Sequence, residues 1–383
     1  MLASDSVRNA SSERFNLLNA DRVSLEKLFS AQGEKPFRAR QVFSRLHKNG
    51  GRNNELAACL QDLPAATRAR FSELVHIDEL PLATVIPASD GVYKLLFSVG
   101  AGQQIEAVII PEAQRITLCI SSQVGCALAC KFCLTGKQGF ARNLTTAEIV
   151  AQLRVANRFL QSQGSTSGIS NIVMMGMGEP LLNADAVLPA LRLFTDTAAY
   201  ALTPRRVTVS TAGVVPAMAR LAADVPVSLA VSLHAPTNAL RDEIMPVNRK
   251  YPLASLMTAC QQHIINRPRA YVTFEYVMLD GINDSPACAR DLVRLLHGIR
   301  CKVNLIPFNP FSGASYQCSS PATIQEFRSR LLQSGVMTTI RKTRGDDILA
   351  ACGQLAGDVH ARTMGLAGRA GQSESPIVRH SPQ

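Results

Sequence analysis

From about residue 116 onward the chain alternates two patterns. Short, almost uninterrupted apolar runs (116–121, 171–177, 206–210, 226–233, 271–278, 302–307 and 336–340) are separated by stretches with helical spacing. A strand that is apolar on both faces must be covered on both, and parallel strands joined by helical crossovers achieve this. One helix is expected after Thr145-x-x-Glu148, a capping box ahead of the stripe Ile149, Leu153, Ala156 and Leu160. Others are expected near 186–198, 214–222, 238–244, 253–265, 286–297 and 321–333. About six such units predict an α/β fold, a partial (β/α)6 barrel over 116–345. Active sites of such sheets lie at the C-terminal ends of the strands.

The remainder falls into smaller pieces. Residues 1–85 read as a small helical N-terminal accessory domain, and 86–115 as a short-strand linker holding VYKLLFSV and QIEAVIIP. Residues 346–363 form a C-terminal segment, and 364–383, rich in Gly, Ser and Pro, a disordered tail. With 383 residues, 46% of them hydrophobic, the chain has ample core and is not disordered as a whole. No apolar run approaches a membrane span, and the first residues lack a secretory pattern, so a soluble, cytoplasmic protein without membrane contact is expected. The net charge of +11 suits a polyanionic partner such as nucleic acid, although a generally basic composition would give the same number. Residues 33–52 place Lys35, Arg38, Arg40, Arg45, Lys48 and Arg52 against Glu34 alone. Ala39, Val42, Phe43 and Leu46 have helical spacing there, leaving a charged face that is either solvated or in contact with RNA. Trp is absent and aromatics reach only 5%, so no stacking platform for single strands is visible.

Of the ten cysteines, Cys59, Cys260, Cys288, Cys301 and Cys318 stand singly and read as small buried hydrophobes. Cys126, Cys130 and Cys133 are different: GCALACKFC spaces them C-x3-C-x2-C. Structural zinc closes with four ligands, and here the next histidine is as distant as His234. Three thiolates instead suit a 4Fe–4S cubane with one iron left without a protein ligand. Downstream, Gly176-Met177-Gly178-Glu179-Pro180 is either an ordinary turn or a place where backbone approaches a ligand and an acid takes an ammonium group. Ser210, Ser232-Leu233-His234 and Asn309 follow in turn at strand ends. Singly each reads as a satisfied polar residue; together they would ring one cavity.

The cysteine triplet and GMGEP together resemble the radical S-adenosylmethionine (SAM) superfamily. Longer stretches, among them TLCISSQVGCALACKFC, NIVMMGMGEPLLN, RRVTVSTAGVVP, FEYVMLDGIND, KVNLIPFNPF and RKTRGDDILAACGQLAG, resemble the RlmN/Cfr family over roughly residues 33–363. The resemblance implies a radical SAM partial barrel in which Cys126, Cys130 and Cys133 hold one 4Fe–4S cluster. It implies SAM contacts from Gly178, Glu179, Ser210, Ser232, Leu233, His234 and Asn309, with Phe132 at the family's aromatic position. It makes Cys352 the methyl carrier, Cys119 the resolving thiol that closes a transient disulfide with it, and Glu106 the proton acceptor, with Cys119 the other candidate for that proton. On sequence alone Cys352 reads as a small buried residue and Glu106 as a strand-edge acid. Leu134–Lys137 departs from the family wording, as do both chain ends.

The implied activity is RNA methylation at adenine carbon 2, in the peptidyl-transferase region of 23S rRNA and at the adenosine 3′ to the anticodon of some tRNAs. Carbon 2 has no lone pair for ordinary methyl transfer, which is why a carbon radical would be used. The scheme consumes two SAM per turnover: one methylates Cys352, and the second yields the radical that activates that methyl group. A one-electron donor such as flavodoxin and a monomeric state are expected. Methylation at carbon 8, as in Cfr, is the near alternative; a non-catalytic, metal-stabilised RNA-binding protein is the distant one.

Overall fold

The computed structural model describes residues 14–51 and 55–357. The expected tail, the end of the C-terminal segment and Arg52 lie outside these residues. The N-terminal part contains β1 (Phe15–Asn16), α1 (Arg22–Ala31), α2 (Pro36–Gly51), α3 (Leu56–Leu60), α4 (Ala65–Leu74) and β2 (Val75–His76), which pairs with β1. Next come β3 (Leu82–Pro87), β4 (Tyr93–Ser98), β5 (Gln104–Glu112) and β6 (Arg115–Cys119). The short strands β7 (Gln123–Gly125) and β8 (Phe140–Asn143) frame α5 (Leu134–Gln138). The remaining elements alternate: α6 (Thr146–Ser162), β9 (Asn171–Met174), α7 (Ala184–Thr195), β10 (Val207–Thr211), α8 (Val215–Asp224) and β11 (Ser228–Ser232). They continue with α9 (Asn238–Ile244), α10 (Leu253–Ile264), β12 (Val272–Met278), α11 (Pro286–Leu296), β13 (Cys301–Pro307), α12 (Pro321–Gln333) and β14 (Thr338–Ile340).

One sheet of ten strands results, in the order β14-β13-β12-β11-β10-β9-β6-β5-β4-β3. Strands β6 and β9 through β14 are parallel, and β14 and β3 are free edges, so the barrel is open. This is the partial barrel that the alternation predicts. The expected linker at 86–115 is corrected: β3, β4 and β5 extend the same sheet antiparallel from β6. Adjacent antiparallel strands need only short turns, so this part carries no helical signal and looks detached in sequence. β3 also straddles the expected boundary at residue 85.

The local signals act as expected. Thr145 and Glu148 close a complete capping box on α6. Ser285 and Ser320 cap α11 and α12, each followed by Pro at the first helical position. Every residue of β12 is buried, as a central parallel strand requires. On α2, Ala39, Val42, Phe43 and Leu46 are buried at 0–1% exposure and join the same core as the barrel. The exposed side of this helix is less basic than its sequence. Arg38 pairs with the nearby Glu34, and folding brings in Glu26 for Arg40 and Asp62 for Arg45.

The N-terminal helices are fastened to the barrel through α6. Arg154, at 0% exposure, donates from Nη1 to the Leu46 carbonyl at 2.6 Å and pairs with Glu79, which also holds Arg158. A guanidinium so buried is tolerable only with such partners. Among the described residues no helix is long and apolar enough to cross a membrane. Replacing Arg154 with Met should destabilise the protein by about 3 kcal/mol, since it orphans the Leu46 carbonyl and half of the Glu79 charge. Urea unfolding measures this, and a loss below about 1 kcal/mol would show that the fastening is dispensable.

Candidate active site

At the C-terminal ends of the parallel strands lies a cleft that opens to solvent, with about 930 Å³ of empty space including its mouth. Cys126, Cys130 and Cys133 line it from the loop between β7 and α5, with Phe132 beside them. The loop is pinned by backbone bonds from Cys126 N–H to the Gly139 carbonyl (2.7 Å) and from Lys131 N–H to the Ile244 carbonyl (3.0 Å). Burial pushes the Cys126 thiol up to about 12 and raises Cys130 and Cys133 as well; the other two thiols add to the rise at Cys130. The three therefore form an uncharged set until something cationic is bound and displaces their protons. Among the described residues no three Cys, His, Asp or Glu side chains converge as a single metal ion requires. The donor set is three thiols from one loop facing a roomy cavity, which fits a cluster with an open iron better than a lone zinc.

The glycines of GMGEP serve packing first. A Cβ on Gly176 would lie 2.6 Å from the Ile120 carbonyl oxygen. Gly178 has φ +96°, and a Cβ there would lie 2.5 Å from Gln123. The turn is thus pressed against residues 120–123, which lead into the cysteine loop, and this turns Glu179 into the cavity wall. Glu179 is 4% exposed; its carboxylate accepts from Leu181 N–H (3.1 Å) and Ala212 N–H (2.7 Å). Burial raises its pKa, and these bonds work against the rise.

Ser210, Ser232, His234 and Asn309 line the same cavity. His234 has φ +58°. Its Nδ1 accepts from Val277 N–H at 2.9 Å, and its ring meets Phe132 edge-on with centroids 4.5 Å apart. Burial holds it neutral, with its pKa down to about 3. Leu233 is fully buried and does not line the cavity; its carbonyl accepts from Arg241 Nε at 3.1 Å. Arg241, unmarked by any motif, also donates to the carbonyls of Ala212 and Ser232 and to Asn248, and so clamps two strand ends together.

Cys352 reaches the cavity from the C-terminal segment. Asn309 Nδ2 donates to its carbonyl at 3.1 Å, and Leu134 N–H donates to the Gly353 carbonyl at 2.8 Å. Cys119, at the end of β6, is buried at 8% exposure and does not line the cavity, yet it feels the charge of Cys352. Burial, and then Cys352, push the Cys119 thiol up to about 12. Both cysteines are free thiols here. Glu106, on β5, stands behind the wall: it pairs with Lys94 at 3.3 Å and accepts from Ala356 N–H at 3.1 Å. The sequence reading missed Arg341, Glu275 and Met175, which line the cavity near Cys352. The Arg341 guanidinium is held above its ordinary range, chiefly by Cys352, with Glu275 and Cys119 adding to this.

A family model of the Radical SAM superfamily matches residues 120–292, and one of the Ribosomal RNA large subunit methyltransferase N-terminal domain matches 15–77. A radical SAM methyltransferase from Sphaerobacter thermophilus is 41% identical, covering 89% of this chain and 99% of its own, with a TM-score of 0.81. The chain belongs to the RlmN-type radical SAM methyltransferases. Two remoter structures add no argument. SuiB of Streptococcus suis bound to S-adenosylmethionine is 14% identical over 59% of this chain and 47% of its own, TM-score 0.41. A domain of the pyruvate-formate lyase-activating enzyme of Bacteroides vulgatus ATCC 8482 is 14% identical over 45% and 99%, TM-score 0.36.

Membership makes this RlmN-type protein a SAM-dependent methyltransferase with a 4Fe–4S cluster. It also implies RNA as the substrate class. Replacing Gly178 with Ala in this RlmN-type enzyme should force the turn away from Gln123, because the residue needs both the positive φ and the missing Cβ. Iron content after anaerobic reconstitution and SAM binding by calorimetry measure the effect. SAM affinity should fall at least tenfold; an unchanged affinity would show that the turn does not set the site.

Proposed function

We propose that this enzyme methylates carbon 2 of an adenine in structured RNA, both in 23S rRNA and in a subset of tRNAs, through a methyl group carried on Cys352. The observation that carries the reading is that Cys352 lines the same cavity as the three thiols of the cysteine loop, with Cys119 close enough to feel its charge. Cys126, Cys130 and Cys133 would hold the cluster. Glu179 would take the SAM amino group, and Gly178, Ser210, Ser232, Leu233, His234 and Asn309 would complete the pocket. When bound, the cluster and SAM supply a transferable methyl group and a carbon-centred radical.

The chain's own residues then divide the work. Cys352 accepts the methyl group as a thiolate. Once that carbon has joined adenine, the adduct gives up its one unpaired electron, which the bound cluster would take back, and Glu106 takes the proton from carbon 2, so that the ring is aromatic again. Its tie to Ala356, four residues from Cys352, relates it to the segment that carries the reacting sulfur. Cys119 then attacks the Cys352 sulfur. The sulfur–carbon bond breaks, the carbon takes a proton and leaves as the product methyl, and the two cysteines remain as a disulfide. Small-molecule or protein thiols reduce it for the next cycle.

A stacked adenine cannot enter this cavity, so the target base must leave its stack. Of the basic N-terminal face, Lys35 and Lys48 are exposed and suited to phosphate, whereas Arg38, Arg40 and Arg45 already face acids.

Cys352→Ala should retain iron but yield no methylated RNA; normal methylation in that variant would remove the covalent scheme. Mass mapping of the product adenosine tests the position, and a methyl at carbon 8 would overturn the carbon-2 reading. Release has its own signature. With the Cys119 thiol near 12, its thiolate fraction grows about tenfold per pH unit through neutral pH. Breakdown of the protein–RNA adduct should therefore accelerate steadily from pH 7 to 9, as followed by gel shift in quenched single turnovers. A flat profile would assign release to another nucleophile.

A further inference from the structure

The cavity wall holds an arginine–glutamate pair to which the scheme above gives no task. Arg341, just beyond β14, is the sole Lys or Arg among the described residues lining the cavity. Its Nη1 lies 3.8 Å from Glu275 Oε2 and 3.4 Å from the Met175 sulfur, a weak acceptor. Both contacts use that single nitrogen of a group that carries five N–H donors. Glu275 is 4% exposed. Its Oε1 accepts from Asn304 Nδ2 at 2.9 Å, while Oε2 has no hydrogen-bond partner among the described residues. A buried oxygen left in this way calls for a partner that arrives with a ligand. The pair thus offers spare guanidinium donors beside a carboxylate oxygen that makes no hydrogen bond among the described residues, on the wall of the cavity that Cys352 also lines.

Adenine matches that pattern on one edge. Ring nitrogen 1 is an acceptor, the neighbouring 6-amino group is a donor, and carbon 2 adjoins nitrogen 1 on its other side. We propose that Arg341 is a catalytic residue that donates a hydrogen bond to nitrogen 1 of the target adenine, while Glu275 orients the guanidinium and accepts from the 6-amino group. This rests on the carbon-2 reading above and names how the same site recognises its base.

The contact also assists the chemistry. When the carbon on Cys352 adds to carbon 2, the new bond takes one electron from that carbon and one from the adjacent carbon–nitrogen π bond. The remaining electron is left on the ring nitrogens; no atom leaves and no oxidant is needed. A cationic donor at nitrogen 1 draws density from carbon 2 and stabilises the charge that builds on nitrogen. Carbon 8 has no such relation to nitrogen 1, so the same contact selects carbon 2. It also rejects inosine, whose nitrogen 1 is a donor and whose position 6 is an acceptor.

The test combines Arg341→Met and Arg341→Lys with synthetic RNA hairpins carrying adenosine, 1-deazaadenosine or 3-deazaadenosine at the target. Single-turnover methylation by the reconstituted enzyme is the first readout, and equilibrium binding of the same hairpins is the second. Wild type should lose about 100-fold with 1-deazaadenosine and little with 3-deazaadenosine. Arg341→Met should lose about 100-fold with adenosine and nothing more with 1-deazaadenosine. Arg341→Lys, which keeps the charge, should fall between and carries the comparison if the Met variant fails to retain iron. Hairpin binding should weaken with 1-deazaadenosine in wild type but not in Arg341→Met. Multiplicative losses, an unchanged Met variant, or a Met variant that no longer methylates Cys352 would each overturn the proposal, the last by placing Arg341 on the sulfur. Failure of the carbon-2 reading shows separately, as a wild type that gives no carbon-2 product from adenosine.

Discussion

A set of hydrogen bonds between two irregular segments closes this active site. The cysteine loop with α5, and residues 352–357 from the far end of the barrel, are both too short to hold a shape alone. They hold each other. Leu134 N–H donates to the Gly353 carbonyl, Thr135 to the Leu355 carbonyl, and Gln138 to the carbonyls of Ala356 and Gly357. Asn309, at the end of β13, adds its bond to the Cys352 carbonyl. Gly357 packs so closely on β5 that a Cβ would lie 2.2 Å from the Gln104 carbonyl oxygen. Backbone groups that would otherwise lack partners under the site are satisfied in this way. Cys352 is fixed relative to the three thiols of the cysteine loop by the same bonds.

Burial then sets the electrostatics. The loop thiols, Cys119, Glu179 and Glu275 all have their charged forms disfavoured, and His234 is kept neutral. A cavity with little charge of its own interacts strongly with whatever charge enters. Such a site suits a sulfonium and a radical, since the neutral His234 adds no charge of its own. Arg341 is the exception on the wall. A guanidinium stays charged where a lysine would surrender its proton, so it can act as a fixed donor in a cavity that neutralises most other groups.

The periodic part of this architecture was open to reading, and the rest was not, for a physical reason. The apolar runs from 171 to 340 fall on β9–β14, and Thr145 and Glu148 cap α6, because each depends on residues near one another in sequence. What joins distant segments leaves no local trace. Nothing around residue 90 tells that β3–β5 continue a sheet otherwise built beyond residue 115, since an antiparallel strand carries the same alternation in a linker or in a sheet. Arg241 and Arg154 look like surface arginines until their helices are packed. The arginines of α2 look like a basic patch until Glu26 and Asp62 arrive beside them. At the site, the cysteines and strand-end polar residues were legible through motifs. Arg341 sits in the long RKTRGDD match, but that it shares a cavity with Cys352 depends on how the chain after β14 crosses to β5 near the other edge of the sheet.

The antiparallel extension explains why an open sheet suffices here. In register, Val108 of β5 faces Cys119 of β6, and Glu106 lies two residues further along β5, on the same side of the pleat as Val108. The C-terminal segment packs onto this strand pair through Ala356 and Gly357. The place where the sheet changes from parallel to antiparallel is therefore where Cys119, the buried Glu106 and the segment bearing Cys352 come together. A closed barrel would put a further parallel strand there, with a helix behind it, and leave no site for that segment to dock. Opening the barrel at this junction gives the chain a second set of chemical groups beside the cluster loop, and a route by which a macromolecular base can approach both.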